Sequence, residues 1–114
     1  MLVHGIPVYG VAVDLCTRCA HYRTERDIVA LKFACCGQYY PCHLCHEETA
    51  GHAARVWPVG QFDERAVLCG ACGAQLTIWQ YLACEAACSA CDAAFNPGCA
   101  RHLHLYFENM HYIV

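Results

Sequence analysis

A small α+β domain held together by metal ions is the fold this sequence predicts. It should contain short β-hairpins, Cys-x-x-Cys knuckles and one to three short helices. Three observations predict it. Twelve of the 114 residues are cysteine, above the roughly 8–10% that marks a cross-linked scaffold. Cysteine and alanine supply almost half of the 58% hydrophobic content and leave 37 larger apolar or aromatic residues. That is a thin core for one domain and too little for two, the situation in which small folds are stapled by disulfides or metals. The β-branched and aromatic runs are also short, and cysteine pairs interrupt them.

Composition excludes several partners. The formal charge is −3, and the 7 Lys and Arg are spread along the chain, so the clustered cations that bind phosphate are missing. No run of about 18 apolar residues offers a membrane span. The N-terminal MLVHGIPVYGVAV is apolar but is broken by His4, Gly5 and Pro7 and has no basic start, unlike a signal peptide. A reducing cytosol is therefore the expected compartment, with the mitochondrial intermembrane space as the alternative. In a reducing compartment clustered cysteines more often bind metal than form disulfides. A thioredoxin-like redox pair would need a βαβ setting that is not visible.

In chain order, Val8 to Val13 reads as a strand, followed by Cys16, Cys19 and His21. Ile28 to Phe33 and Gln38 to Pro41 read as two strands of a hairpin with Cys35 and Cys36 at its tip, where Gly37 tolerates the chain reversal. Cys42-His43-Leu44-Cys45-His46 forms a knuckle leading into a helical turn over His46 to Ala54, and Arg55 to Glu64 reads as an ordered loop. Val67-Leu68 enters the knuckle Cys69-x-x-Cys72. Thr77 and Gln80 form a capping box for a helix through Leu82. Cys88-x-x-Cys91 is the third knuckle, Phe95 to Cys99 a turn, and Arg101 to Glu108 a short helix. The single domain spans 1–108, and 109–114 is a tail.

Structural zinc takes four Cys or His ligands, two of them commonly from one Cys-x-x-Cys bite. Three bites are present: Cys42/Cys45, Cys69/Cys72 and Cys88/Cys91. The unpaired candidates include Cys16, Cys19, His21, Cys35, Cys36, His46 and His52. Adjacent side chains diverge, which sends Cys35 and Cys36 to different ions and His46 away from the ion of Cys45. Spacing thus predicts three interleaved zinc ions but leaves open which bite joins which partner.

The run Cys19-Ala-His21-Tyr22, Cys35-Cys36-Gly37, Tyr39-Tyr40, Cys42-x-x-Cys45-His46, His52, Cys69-x-x-Cys72, Cys88-x-x-Cys91 and Phe95-Asn-Pro-Gly-Cys99 resembles the CHY-type zinc finger family, over nearly the whole chain. The resemblance implies three Cys₃His sites. The first is Cys19, His21, Cys42 and Cys45. The second is Cys35, His46, Cys88 and Cys91, and the third Cys36, His52, Cys69 and Cys72. Family members occur as stand-alone proteins, including helper-of-Tim proteins, and as the N-terminal zinc domain of some RING-type ubiquitin ligases. Ligase activity is not expected to carry over to this chain.

Cys16, Cys84, Cys99, His102 and His104 are expected to pack or turn the chain rather than build a fourth site. Tyr39, Tyr40, Trp57, Trp79, Phe95, Tyr106 and Phe107 are expected to cover the metal sites, while Lys32, Arg18, Arg23 and backbone N–H groups offset thiolate charge. Closed coordination leaves no position for a catalytic water, so no catalytic residues and no enzyme are expected. The expectation is a monomeric zinc-binding module that contacts a protein partner and neither nucleic acid nor membrane. The alternative is a thiol/zinc-exchange helper acting on cysteine-rich partner proteins.

Overall fold

The computed structural model describes residues 1–96 and 103–108. At its centre is a four-stranded antiparallel sheet in the order β4-β3-β5-β6, built from β3 (Val29–Lys32), β4 (Tyr39–Tyr40), β5 (Arg65–Cys69) and β6 (Gln75–Thr77). The β3–β4 hairpin pairs Leu31 with Tyr40 and Lys32 with Tyr39. A long-range pairing of Val29 with Cys69 and Leu31 with Val67 then joins it to the β5–β6 hairpin. Val29, Ala30 and Leu31 are all buried, because both faces of β3 are covered.

One face packs into the main core, where Val29, Leu31 and Val67 meet Phe33, Phe62, Ile78 and Phe95. The opposite face, with Ala30, Tyr39 and Leu68, is covered by Val3 and Val8. Those two residues come from an N-terminal hairpin of β1 (Leu2–Val3) and β2 (Ile6–Pro7), turned by His4 and Gly5 at positive φ.

The strand expected over Val8 to Val13 is not formed. Val8 makes a single bridge to Tyr39, and Tyr9 N–H donates to the Tyr39 carbonyl. The chain then turns away at Gly10 (φ 156°) and Ala12 (φ 53°). A Cβ on Gly10 would stand 2.9 Å from Cys45 Sγ. The β-branched residues lack an edge to continue on, and the backbone instead closes over a sulfur.

Helix α1 (His43–Thr49) starts three residues earlier than the sequence suggests, because Cys42 caps it. Cys42 is extended, and its Sγ accepts the Cys45 N–H at 3.4 Å, the role a serine or aspartate oxygen usually takes. Helix α2 (Ile78–Ala83) starts at the expected capping box, with Gln80 N–H donating to Thr77 Oγ1 and Thr77 N–H donating to Gln80 Oε1.

The 55–64 loop is ordered around a short 3₁₀ turn (Val59–Gln61). Trp57 Nε1 donates to the Lys32 carbonyl at 2.7 Å, and Phe62 is fully buried. Leu103 to Leu105 form one 3₁₀ turn before Phe107 bridges to Trp57. Of the expected 101–108 helix, Arg101 and His102 lie outside the described residues, as do Pro97 to Cys99 of the expected turn and the 109–114 tail.

Trp79 departs from the expected aromatic cover. It is 43% exposed and meets Phe62 edge-on at 5.1 Å.

Gly70 fixes the approach of the N-terminal segment to the sheet. Its N–H donates to the Ile28 carbonyl at 2.6 Å, and a Cβ there would run into the Cys16 carbonyl and stand 2.9 Å from Ile28 O. Both obstacles are backbone, so no side chain can swing aside. Gly70→Ala is expected to cost about 3 kcal/mol, the upper range for overpacking. Gly60→Ala, where a Cβ meets nothing within 4 Å, should stay within about 0.5 kcal/mol, as surface changes do. Thermal melts of the zinc-loaded variants compare the two.

Candidate metal centre

Twelve side chains bring their ligand atoms into three groups of four, each with all atoms within 4.8 Å of one another. The first group is Cys19, His21, Cys42 and Cys45. Cys42 and Cys45 lie one turn apart at the start of α1, and Cys19 and His21 arrive on the loop from the N-terminal hairpin. Cys19 Sγ is 3.7 Å from Cys42 Sγ and 3.7 Å from His21 Nδ1, which is 3.4 Å from Cys42 Sγ and 3.5 Å from Cys45 Sγ. The three cysteines are buried.

The second group is Cys35, Cys36, His46 and His52. Cys35 and Cys36 sulfurs are 3.9 Å apart, Cys35 Sγ is 3.2 Å from both His46 Nε2 and His52 Nε2, and the two imidazole nitrogens are 3.2 Å apart. The buried His46 ring stacks on Phe33 at 4.2 Å, which fixes its plane.

The third group is Cys69, Cys72, Cys88 and Cys91, with 3.8 Å between Cys69 and Cys91 and between Cys72 and Cys88. Its two knuckles share one hydrogen-bond pattern. Gly73 N–H donates to the Cys69 carbonyl and Asp92 N–H to the Cys88 carbonyl, each at 2.8 Å. Cys69 N–H donates to Ala74 and Cys88 N–H to Ala93, each at 2.9 Å. The residue that closes each knuckle has positive φ, 82° at Gly73 and 65° at Asp92.

These separations fit zinc. Zinc–sulfur bonds of about 2.3 Å and zinc–nitrogen bonds of about 2.0 Å in a tetrahedron put two sulfurs about 3.8 Å apart, sulfur and nitrogen about 3.5 Å, and two nitrogens about 3.3 Å. A disulfide would require about 2.0 Å, and the eleven cysteines among the described residues are free.

The protonation chemistry agrees. Hydrogen bonding from Cys42 holds the Cys19 thiol down to about 5, while the same contact, and burial after it, pushes Cys42 up. Burial pushes Cys45, Cys69 and Cys36 up. One thiolate in a group is stabilised by its neighbours' S–H groups, and further ones are resisted. A dication removes that resistance. Burial keeps His46 below its ordinary value, and neutral imidazole is the ligand form. Soft sulfur and imidazole donors at tetrahedral spacing select zinc, and the chain holds three.

Two of the three ligand sets implied by the resemblance are corrected. Cys35 and Cys36 share a group with His46 and His52, and the Cys69 and Cys88 knuckles share another. The divergence of neighbouring side chains holds for a strand, where they point to opposite faces. Ala34 to Cys36 form a turn instead, closed by Gly37 N–H on the Phe33 carbonyl at 2.8 Å. In a helical turn neighbours diverge by only about 100°, so two short Cys side chains converge within one tetrahedral edge. On α1 the longer side chain of His46, stacked on Phe33, carries its Nε2 to the second group, while the short Cys45 side chain stays in the first. The sites are therefore one Cys₃His, one Cys₂His₂ and one Cys₄, with formal charges of about −1, 0 and −2 once zinc is bound, in place of three equal Cys₃His sites.

The expected cations do not face the sulfurs. Arg18 donates to the Thr24 and Glu25 carbonyls and pairs with Asp14 at 3.5 Å, Arg23 donates to the Ala12 carbonyl, and Lys32 Nζ sits 5.3 Å from the centre of the Tyr39 ring. Backbone N–H groups do that work. Val11 donates to Cys45 Sγ at 3.5 Å and Ala90 to Cys88 Sγ at 3.4 Å. Burial raises the Cys88 thiol, but the Cys91 and Ala90 N–H groups together with hydrogen bonds from the Cys69 and Cys91 side chains bring it below its ordinary value.

Cys16 stays outside the groups, with its N–H on Asp14 Oδ1 at 2.8 Å. Cys84 caps the C-terminus of α2. Cys99 and His102 lie outside the described residues.

Sequence reasoning missed Glu48, whose Oε1 lies 3.1 Å from His21 Nε2. Its signal is its place one helical turn after Cys45, on the face that meets the first site. A carboxylate on the outer nitrogen fixes the ring and raises ligand basicity, and contacts with Cys19 and then Glu48 hold His21 above its ordinary value. Glu48→Ala is expected to weaken zinc at the first site by roughly 10–100-fold. Competition with a chromogenic chelator measures it, and an unchanged affinity would reduce the contact to a surface pair.

The sequence profile of the CHY zinc finger family matches residues 19–97. Helper of Tim protein 13 of Saccharomyces cerevisiae is 35% identical over 105 residues, 90% of each chain. The protein of the same name from Kluyveromyces lactis is 35% identical over 100 residues, covering 88% of this chain and 87% of its own. An uncharacterized protein of Schizosaccharomyces pombe is 40% identical over 102 residues, 90% of this chain and 89% of its own. No solved structure matches the chain. A profile match that runs through all three groups of ligands, and relatives that align along nine-tenths of the sequence, show that the chain belongs to the CHY zinc finger family.

Proposed function

We propose that this zinc protein is a non-catalytic module whose ions are structural and whose surface engages another protein. The observation that carries this is closure: each group supplies four protein ligand atoms, which fills a tetrahedral ion and leaves no position for a reacting water. No helix among the described residues is long and apolar enough to cross a membrane.

A second reading, thiol and zinc exchange with cysteine-rich partners, is favoured by two exposed ligands in one site, Cys72 and Cys91. Two of the relatives carry the name Helper of Tim, which supports action on another protein and favours the mitochondrial intermembrane space over the cytosol.

Isotopically enriched zinc separates the two readings. A structural module retains its ions for days in the presence of labelled zinc and an excess of a Cys-x-x-Cys peptide. An exchange helper passes one or more ions to the peptide within minutes. Passage of ions to the peptide while the fold persists would overturn the structural reading.

A further inference from the structure

We propose that the three sites are unequal, and that the Cys₄ site is the one that opens, at the exposed edge made by Cys72 and Cys91, to a thiol acceptor. This rests on the exchange reading above and names the site it would use. The first site is sealed by three buried cysteines and a histidine held by Glu48. The second has its buried His46 stacked on Phe33, and only His52 is exposed. In the third, Cys69 and Cys88 are buried while Cys72 and Cys91, one from each knuckle, are both exposed. An incoming sulfur can reach a position between them without unfolding the sheet. Four thiolates also give this site the largest excess negative charge of the three, so its thiolates are the most nucleophilic.

The Cys₄ site also holds a local segment in place. The 84–94 segment contains no helix or strand. The backbone hydrogen bonds recorded for residues 85–94, such as Cys88 to Ala93 and Phe95 to Ala86, run within 84–95. Three of the six non-glycine residues at positive φ among the described residues lie here: Glu85 (53°), Ala86 (61°) and Asp92 (65°). Left-handed backbone is disfavoured for residues with a Cβ and persists only when the surroundings impose it. The Cys₄ site ties this strained segment directly to β5, beside the packing of Cys88 and Phe95 on the core and the Asn96 hydrogen bonds to Arg26 and Asp27 at its end. Opening it frees a local unit, the kind of segment that opens below the global unfolding energy. Opening the first site would instead detach α1, which also carries His46 of the second.

In the exchange step a thiol of the acceptor displaces the Cys72 or Cys91 thiolate. One metal–sulfur bond forms as one breaks, the proton of the incoming thiol passes to the released thiolate, and no electrons are transferred. An acceptor with two thiols repeats the step and retains the ion. The matching partner is therefore an unfolded or reduced segment carrying a Cys-x-x-Cys-like dithiol.

The fully zinc-loaded chain is challenged in parallel with EDTA and with a short synthetic peptide bearing one Cys-x-x-Cys. Each time point is pulsed with iodoacetamide, native mass spectrometry counts the ions, and peptide mapping locates the alkylated cysteines. The expected result is a two-zinc species in which Cys72 and Cys91 are alkylated roughly tenfold or more faster than Cys19, Cys42 and Cys45, following exposure and thiolate character. First labelling at Cys35 and Cys36 or within the first site, or concerted loss of all three ions, would overturn the proposal. If EDTA produces the expected order while the peptide takes no zinc, the site is assigned correctly and the exchange reading of function fails.

Discussion

Stripping all three zinc ions with excess chelator is expected to abolish the fold, with collapse of the far-UV signal and of tertiary aromatic signals together. The elements are too short to persist alone. Helix α1 has seven residues and α2 six, against the roughly 12–15 below which isolated helices are marginal. Strand β4 has two residues and β6 three. Structural zinc in small peptides contributes on the order of 10 kcal/mol per site at neutral pH, while whole domains are stable by only about 5–15 kcal/mol. The loss of three ions therefore exceeds any margin the core can supply. Circular dichroism with zinc counting tests it, and a chain that keeps its helical and aromatic signals with no zinc bound would show that the sulfurs are incidental.

Proton competition sets the sign of the pH dependence. Unfolded thiols near their ordinary value of about 8.5 hold their protons at neutral pH, and the zinc-bound fold carries them as thiolates. The unfolded state binds more protons, so stability rises with pH. Less chelator should be needed for unfolding at pH 6 than at pH 8.

Much of this architecture was legible because its signals are local. A Cys-x-x-Cys bite, a Thr77/Gln80 capping box and the largely apolar run Ile28 to Phe33 each depend on residues a few positions apart, and each yields its element close to where the sequence puts it, β3 within that run. The failures arise where a sulfur or a remote surface overrides a local preference. Cys42 begins α1 because its Sγ serves as the cap, which no propensity for cysteine suggests. Val8 to Val13 have strand composition, but the edge of β4 accepts only the first of them before Gly10 turns the chain toward Cys45. The N-terminal hairpin exists to cover Ala30, Tyr39 and Leu68 on the second face of the sheet, a need visible only once that sheet is formed. Ligand identity is a matter of residue type and spacing, whereas ligand grouping depends on the backbone rotation between neighbours.

That last distinction yields a decisive experiment. Cys35→Ala and Cys36→Ala are each expected to lose one zinc ion, and the double variant is expected to lose that same single ion and keep two. Both sulfurs face His46 and His52 within one group, 3.9 Å apart, so the second substitution finds its site already broken. Had the turn been extended, the two cysteines would serve separate ions shared with the C-terminal knuckles, and the double variant would keep only one. The stability cost follows the same non-additive pattern. Residues in one ligand set act as a unit, so the first substitution should remove most of the roughly 10 kcal/mol tied to the site and the second little more. Native mass spectrometry of the double variant reads the count directly. Two ions retained, with Cys69, Cys72, Cys88 and Cys91 still protected from a thiol probe at low exposure times, supports the grouping. One ion retained with those four exposed would restore the interleaved arrangement and require the Ala34–Cys36 turn to open. If the variants fail to fold in isolation, cobalt substitution of the wild-type chain gives the same answer. One Cys₃His, one Cys₂His₂ and one Cys₄ site differ in thiolate number, and their thiolate-to-metal absorption should fill in three unequal steps, whereas three Cys₃His sites would give equal ones.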